Sequence, residues 1–191
     1  MENKERIMQC AEELFYSRGY DAAGVQEIVD RAGVTKPTLY YYFGSKRGLL
    51  EAIFNTKFEQ LMPRLESIVL QPWDIREKLY TLADTYYEFF SQDYRFSMLM
   101  MALFYSAREN EAYQTARPYY EKFYRTVVKL FDERAAELGN MNGRQGQFAI
   151  SYIGVLNQYL TMNFDPETGK WAVSPEQMHG MVDQFMYGIF T

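Results

Sequence analysis

The stretch AGVTKPTLYYYFGSK, residues 32–46, decides how the chain folds. Gly33 reads as the C-terminal cap of a short helix whose apolar face is Val25, Ile28, Val29 and Ala32. Thr35 reads as the N-cap of the next helix, with Pro37 in its first turn, where a missing amide hydrogen costs nothing. Gly44 stops that helix after about two turns, and Ser45 caps a fourth that runs through KRGLLEAIFNTKFEQLM. Two short helices joined by a tight glycine turn, the second flanked by bases, describe a helix-turn-helix.

On a wheel of about 100° per residue, Leu39 and Phe43 share one side of the third helix and face the core. Tyr41 then points away from that core, with Tyr40 and Tyr42 on the flanks. A flanking tyrosine can pack its ring on the protein and extend its hydroxyl to a phosphate. Lys36, Pro37 and Thr38 at the helix start project toward base edges: lysine can donate to guanine, and the threonine and proline can touch a thymine methyl. Thr35 and the amides around it can hold a phosphate, and Lys46 stands ready for a second backbone contact.

Outward from this stretch the chain reads as all-α. Ile7, Ala11, Leu14 and Phe15 mark a first helix that stops near Gly19. Further helical stretches fall near 74–91, 93–108, 110–138, 143–163 and 175–190, and nothing reads as strand. Pro63 is expected to disturb the fourth helix and Pro118 to kink the one over 110–138. Ser174, Pro175 and Gln177 make a capping box for the last. The organisation expected is a three-helix head over residues 1–46 and a larger helical body over 47–191.

Composition bounds the rest. The 191 residues are 48% hydrophobic, enough for a real core. The net charge is −5, yet residues 1–50 carry seven bases and seven acids, so the acid excess lies wholly beyond them. From Thr35 to Arg47 there are three bases and no acid, a patch that suits DNA if a dimer presents it twice. Cys10 is the single cysteine and reads as a structural thiol in a reducing compartment. His179 is the single histidine, too few for a zinc set and expected to be structural. The charged start is no signal peptide, and the longest apolar run is about half a membrane span, so a cytoplasmic protein is expected. No nucleophile elbow, phosphate loop, HExxH or dinucleotide fingerprint is present; no catalytic residue, metal or cofactor is assigned.

The segment from Phe15 through GYDAAGVQEIVDRAGVTKPTLYYYFGSKRGLLEAI resembles the N-terminal domain of the TetR family of bacterial transcriptional regulators. The likeness rests on Gly19–Tyr20, Ile28, Ala32–Gly33–Val34, Leu39–Tyr40, Tyr42–Phe43 and Ser45–Lys46. It implies that Lys36, Pro37 and Thr38 read bases, and that Thr35, Tyr40, Tyr41, Tyr42 and Lys46 hold phosphates or line the groove. Two departures stand out. Ala23–Gly24 replaces the hydroxyl residues usual at the start of helix two, and Pro37 stands where glycine is frequent.

The body holds 12 of the 17 tyrosines, 12 of the 14 phenylalanines and 9 of the 11 methionines. Such residues build core, and together they also suit an adaptable pocket. The resemblance implies an inducer held between central helices, sought near Tyr86, Phe90, Met100, Phe104, Tyr120 and Phe123. Wide apolar stripes run along the last two helices, through Ala149, Ile153, Leu156 and Leu160, then Met178, Met181, Val182, Phe185, Met186 and Ile189. They read either as internal core or, as the resemblance implies, as a homodimer's four-helix interface, for which Ile153, Leu156, Leu160, Met178, Met181, Val182 and Phe185 are the candidates.

The function expected is a ligand-responsive regulator, a repressor released from a palindromic double-stranded DNA operator by a small apolar or amphipathic effector. The alternative is a DNA-binding scaffold of the same fold governed by a protein partner.

Overall fold

A computed structural model describes residues 2–139 and 141–188. Its helices are α1 (Asn3–Arg18), α2 (Val25–Ala32), α3 (Lys36–Phe43), α4 (Lys46–Leu70), α5 (Ile75–Gln92), α6 (Tyr94–Phe104), α7 (Glu111–Glu133), α8 (Gln145–Met162) and α9 (Pro175–Tyr187). A 3-10 turn spans Ala135–Glu137. Between α8 and α9 lies a small antiparallel hairpin, β1 (Phe164–Asp165) with β2 (Lys170–Trp171), which pairs Phe164 with Trp171 and Asp165 with Lys170. Among the described residues the chain is therefore all-α apart from this hairpin, which the apolar periodicity does not announce.

Both prolines lie inside continuous helices. Pro63 and Pro118 are exposed, and so are Glu59 and Gln114, whose carbonyls each proline leaves without its helical donor. Water can satisfy those carbonyls, so neither helix has to end.

The contacts divide the chain into two units: one takes the chain up to Glu59 together with Arg95–Tyr120, the other Gln60–Tyr94 and Glu121 onward. In the first unit Ile7, Leu14 and Phe15 of α1 are buried with Ile28 and Val29 of α2 and Leu39 of α3. The Arg6 Nε–H donates to the Ala32 carbonyl at 2.6 Å, fastening α1 to the end of α2. Phe54 sits among the rings of Phe96 and Tyr119, each centred 5.1 Å away.

In the second unit α5, α8 and α9 share the core. Leu82 and Phe90, Leu156 and Leu160, and Met178 and Val182 have no exposed surface. The Tyr152 hydroxyl donates to the Leu79 carbonyl at 2.5 Å, and burial raises this phenol's pKa well above its ordinary value. The end of α4 is closed by two cations. Buried Lys78 donates to the Val69 carbonyl at 2.5 Å, and Arg134 donates to the Trp73 carbonyl at 2.5 Å. The single histidine, His179, is held in place: its Nε2 lies 2.9 Å from Asp84 Oδ2, and its ring stacks on Tyr80. Among the described residues no helix is long and apolar enough to cross a membrane.

Candidate nucleic-acid interface

The α2–turn–α3 unit is built from its caps. Gly33 adopts φ 61° and ψ 38°, a left-handed conformation that disfavours a β-carbon, and its N–H closes α2 on the Asp30 and Val29 carbonyls. Thr35 stands at the N-cap of α3 with extended backbone, but its hydroxyl caps no amide. It pairs instead with the Thr38 hydroxyl at 2.9 Å. The first amides of α3 thus keep no side-chain cap. Ser45 behaves as expected, its Oγ accepting from the Gly48 N–H at 2.9 Å.

The wheel reading of α3 holds. Leu39 is fully buried and Phe43 half-buried. Tyr41 is 84% exposed, against 45% for Tyr40 and 40% for Tyr42. The Tyr41 ring meets that of Tyr42 edge-on at 5.2 Å, which orders it beside the helix. Lys36 and Pro37 are exposed and Thr38 is half-buried. This face offers hydroxyls, apolar edges and one cation.

Lys46, expected to meet a phosphate, makes two contacts within its own unit. Its Nζ lies 4.3 Å above the Tyr20 ring and donates to the Asp21 carbonyl at 3.4 Å. Burial lowers its pKa, while the carboxylates of Asp21 and Glu111 oppose the shift. The exposed cation beside it is Arg47, which was legible only as one of three bases in an acid-free run. At the start of α2, Gly24 is the N-cap with no side-chain bond, in keeping with the missing hydroxyl there.

A family model for bacterial regulatory proteins of the tetR family matches residues 7–53, from α1 into α4. Over this segment the chain matches the tetR family. Among relatives, the transcriptional activator FasR of Mycolicibacterium smegmatis is 35% identical over 92 residues, which are 48% of this chain and 42% of FasR. The chain thus matches less than half the length of that relative. Among solved structures, the regulator FadR of Bacillus subtilis, in complex with stearoyl-CoA, superposes with a TM-score of 0.80 at 18% identity over 97% of this chain and 98% of that one. AibR in complex with isovaleryl coenzyme A and operator DNA gives 0.73 at 18% identity over 99% and 100%. At these identities the likeness to the two structures is one of fold. It extends the tetR-like architecture from the head to the full chain.

The six aromatic and methionine residues proposed as pocket lining are shared between the two units. In the first, Met100 is buried, its carbonyl accepts from the Tyr120 hydroxyl at 2.7 Å, and Phe104 meets the Tyr120 ring edge-on at 5.2 Å. In the second, Tyr86 stacks on Phe123 at 5.0 Å, touches Phe90 at 4.6 Å and donates to Asn157 Oδ1 at 2.6 Å. Both tyrosine hydroxyls are therefore already engaged inside the protein. Phe104 is 46% exposed, and the other five are buried or half-buried.

The proposed dimer face needs correction. Leu156, Leu160, Met178 and Val182 are completely buried within the second unit, and Met181 nearly so. Side chains already enclosed by their own chain cannot cover a second copy. Phe185 is half-buried against Tyr152, Phe131 and Phe148, while Ile153 is half-buried on α8. Ile189 lies outside the described residues. The apolar residues α8 does expose are Ile150, Val155 and Met162, with Gly154 among them. The stripe read from the sequence on α8 is core, and Ile150, Val155 and Met162 lie outside it.

Proposed function

We propose that the chain is a ligand-responsive DNA-binding transcriptional regulator, acting as a repressor on a palindromic operator. One observation carries this reading: α3 presents Tyr41 almost fully exposed beside exposed Lys36 and Pro37, with nothing in its own unit to cover them. An aromatic this exposed on a rigid two-turn helix suits a groove and its phosphates. Thr35, Tyr40, Tyr41 and Tyr42 position the helix on the backbone; Lys36, Pro37 and Thr38 read bases; Lys46 braces the loop and Arg47 supplies the nearby charge.

Two copies are needed to present the weak basic patch twice, and the exposed α8 residues Ile150, Val155 and Met162 supply the pairing surface. The effector is a lipophilic molecule. FadR and AibR were solved with acyl thioesters of coenzyme A, and an acyl chain suits the aromatic and methionine content of this body. The effector must bind the released conformation better than the DNA-bound one. Such a protein works in the cytoplasm, where its DNA is.

Selection of bound sequences from a random DNA pool tests the reading. A two-fold symmetric motif is expected, and Thr38→Ala should alter the motif at fixed positions. Failure to enrich any motif, or an identical motif for the variant, refutes the assignment of α3 as reader.

A further inference from the structure

Among the described residues two buried side-chain polar atoms lack a hydrogen-bond partner, Thr161 Oγ1 and Trp171 Nε1. Both belong to one short segment: Thr161 lies in the last turn of α8 and Trp171 in β2 of the hairpin that follows. Trp171 is 8% exposed. Its ring lies 4.8 Å from Phe164, its partner across the hairpin, and 6.0 Å from Phe90 of α5. Phe164 is stacked in turn on Tyr94 at 5.8 Å. An indole N–H buried without an acceptor is costly, and native proteins leave few such groups without a reason. The two rings in contact with this indole, Phe164 and Phe90, offer it no acceptor.

We propose that the Trp171 N–H is the hydrogen-bond donor of a ligand site at the hairpin side of the second unit, and that it takes the neutral carbonyl oxygen of a lipophilic ester, thioester or amide. The aromatic rings receive the apolar body, and the donor fixes its one polar atom. A carboxylate fits worse. The hairpin from Asn163 to Val173 holds two acids, Asp165 and Glu167, against the single base Lys170. Lys170 is exposed and precedes Trp171 in the strand, so its side chain leaves from the opposite face. Asp165 accepts from Thr168 Oγ1 at 2.7 Å and from the Glu167 amide at 2.9 Å, which holds its carboxyl below the usual range and keeps it charged. The inference rests on the effector reading only in supposing that a lipophilic molecule binds; it does not require that binding release DNA.

The full chain carrying Trp73→Phe leaves Trp171 as the sole tryptophan, so its emission reports on the site. Titration with methyl octanoate should give saturable binding, with octanoate and 1-chlorooctane each at least about tenfold weaker, the loss that goes with one unmade buried hydrogen bond. Trp171→Phe keeps an aromatic ring and removes the N–H; followed by calorimetry, it should weaken the ester about tenfold and leave 1-chlorooctane unchanged. In the wild-type protein, the Trp171 indole N–H resonance should move downfield on adding the ester and exchange more slowly with solvent. That measurement decides the matter even if the phenylalanine variant unfolds. Equal binding of ester and chloroalkane, tighter binding of the carboxylate, no binding of any probe, or an unmoved indole resonance overturns the proposal. Binding that follows this pattern but leaves operator affinity unchanged supports the site and counts against the effector reading alone.

Discussion

The Tyr20 hydroxyl donates to Glu111 Oε2 at 2.6 Å, joining the loop after α1 to the first turn of α7. A second bond lies beside it, from Asn110 Nδ2 to Asp21 Oδ2 at 2.7 Å, and Lys46 covers the Tyr20 ring. These contacts fasten the α1–α3 head to the α6–α7 segment of the same unit. Tyr20→Phe removes one charge-assisted bond and leaves the ring in place. It should cost about 1–2 kcal/mol in urea unfolding, whereas Glu111→Gln, which can still accept, should cost less. Equal losses from both would show that charge on Glu111 is what matters.

Lys46 and Lys36 should separate in their response to salt. Lys36→Ala is expected to reduce the slope of log K against log salt by up to about one, because a cation lost from the groove releases fewer counterions even where it meets a base edge. Lys46→Ala should leave that slope nearly unchanged and lower thermal stability instead, because its ammonium is occupied by the Tyr20 ring and the Asp21 carbonyl. A slope change as large as that of Lys36→Ala would mean that Lys46 leaves this position on DNA.

The Tyr119 phenol donates to Asn55 Oδ1 at 2.7 Å, and its pKa is pushed up to about 12, first by burial and then by Glu51 and Glu59. In the unfolded chain the phenol ionises near pH 10, so above that pH the unfolded state holds fewer protons than the folded one. Stability must therefore fall as pH rises from about 10 toward 12. Tyr119→Phe should flatten this part of the stability curve, read by denaturant titration at each pH. A curve parallel to wild type would refute the role.

Gly48, in the first turn of α4, has no room for a side chain. A β-carbon there would collide with the Phe43 carbonyl oxygen, a backbone atom that cannot step aside. Gly48→Ala should shift the α3–α4 junction, costing about 1–3 kcal/mol and weakening DNA binding beyond the loss of stability. Unchanged melting and unchanged DNA affinity would rule this out.

Ile150→Glu on the exposed face of α8 should convert a dimer to a 22.6 kDa monomer in sedimentation, with the helical content retained. Leu156→Glu should instead unfold the second unit, since its side chain is wholly buried. A dimer that survives Ile150→Glu places the interface elsewhere.

Local chemistry made the head legible without its structure. Gly33 in a left-handed turn, Pro37 in a first turn and the alternation of Leu39 with exposed tyrosines follow from backbone sterics and a 3.6-residue period. The capping box of α9 was equally plain, because its bonds span only three residues. What lay beyond sequence depended on partners distant along the chain. Pro63 and Pro118 stay inside helices, each on an exposed face where water can reach the freed backbone. Two-residue strands carry too little pattern to announce a hairpin. An apolar stripe on α8 or α9 says that a side chain leaves water, and only the tertiary structure decides whether its own core or a second surface receives it. For the same reason the tyrosine run and its lysines could be placed on a helix, but Lys46 was assigned to Tyr20 by folding, since residues 26 positions apart meet only through packing.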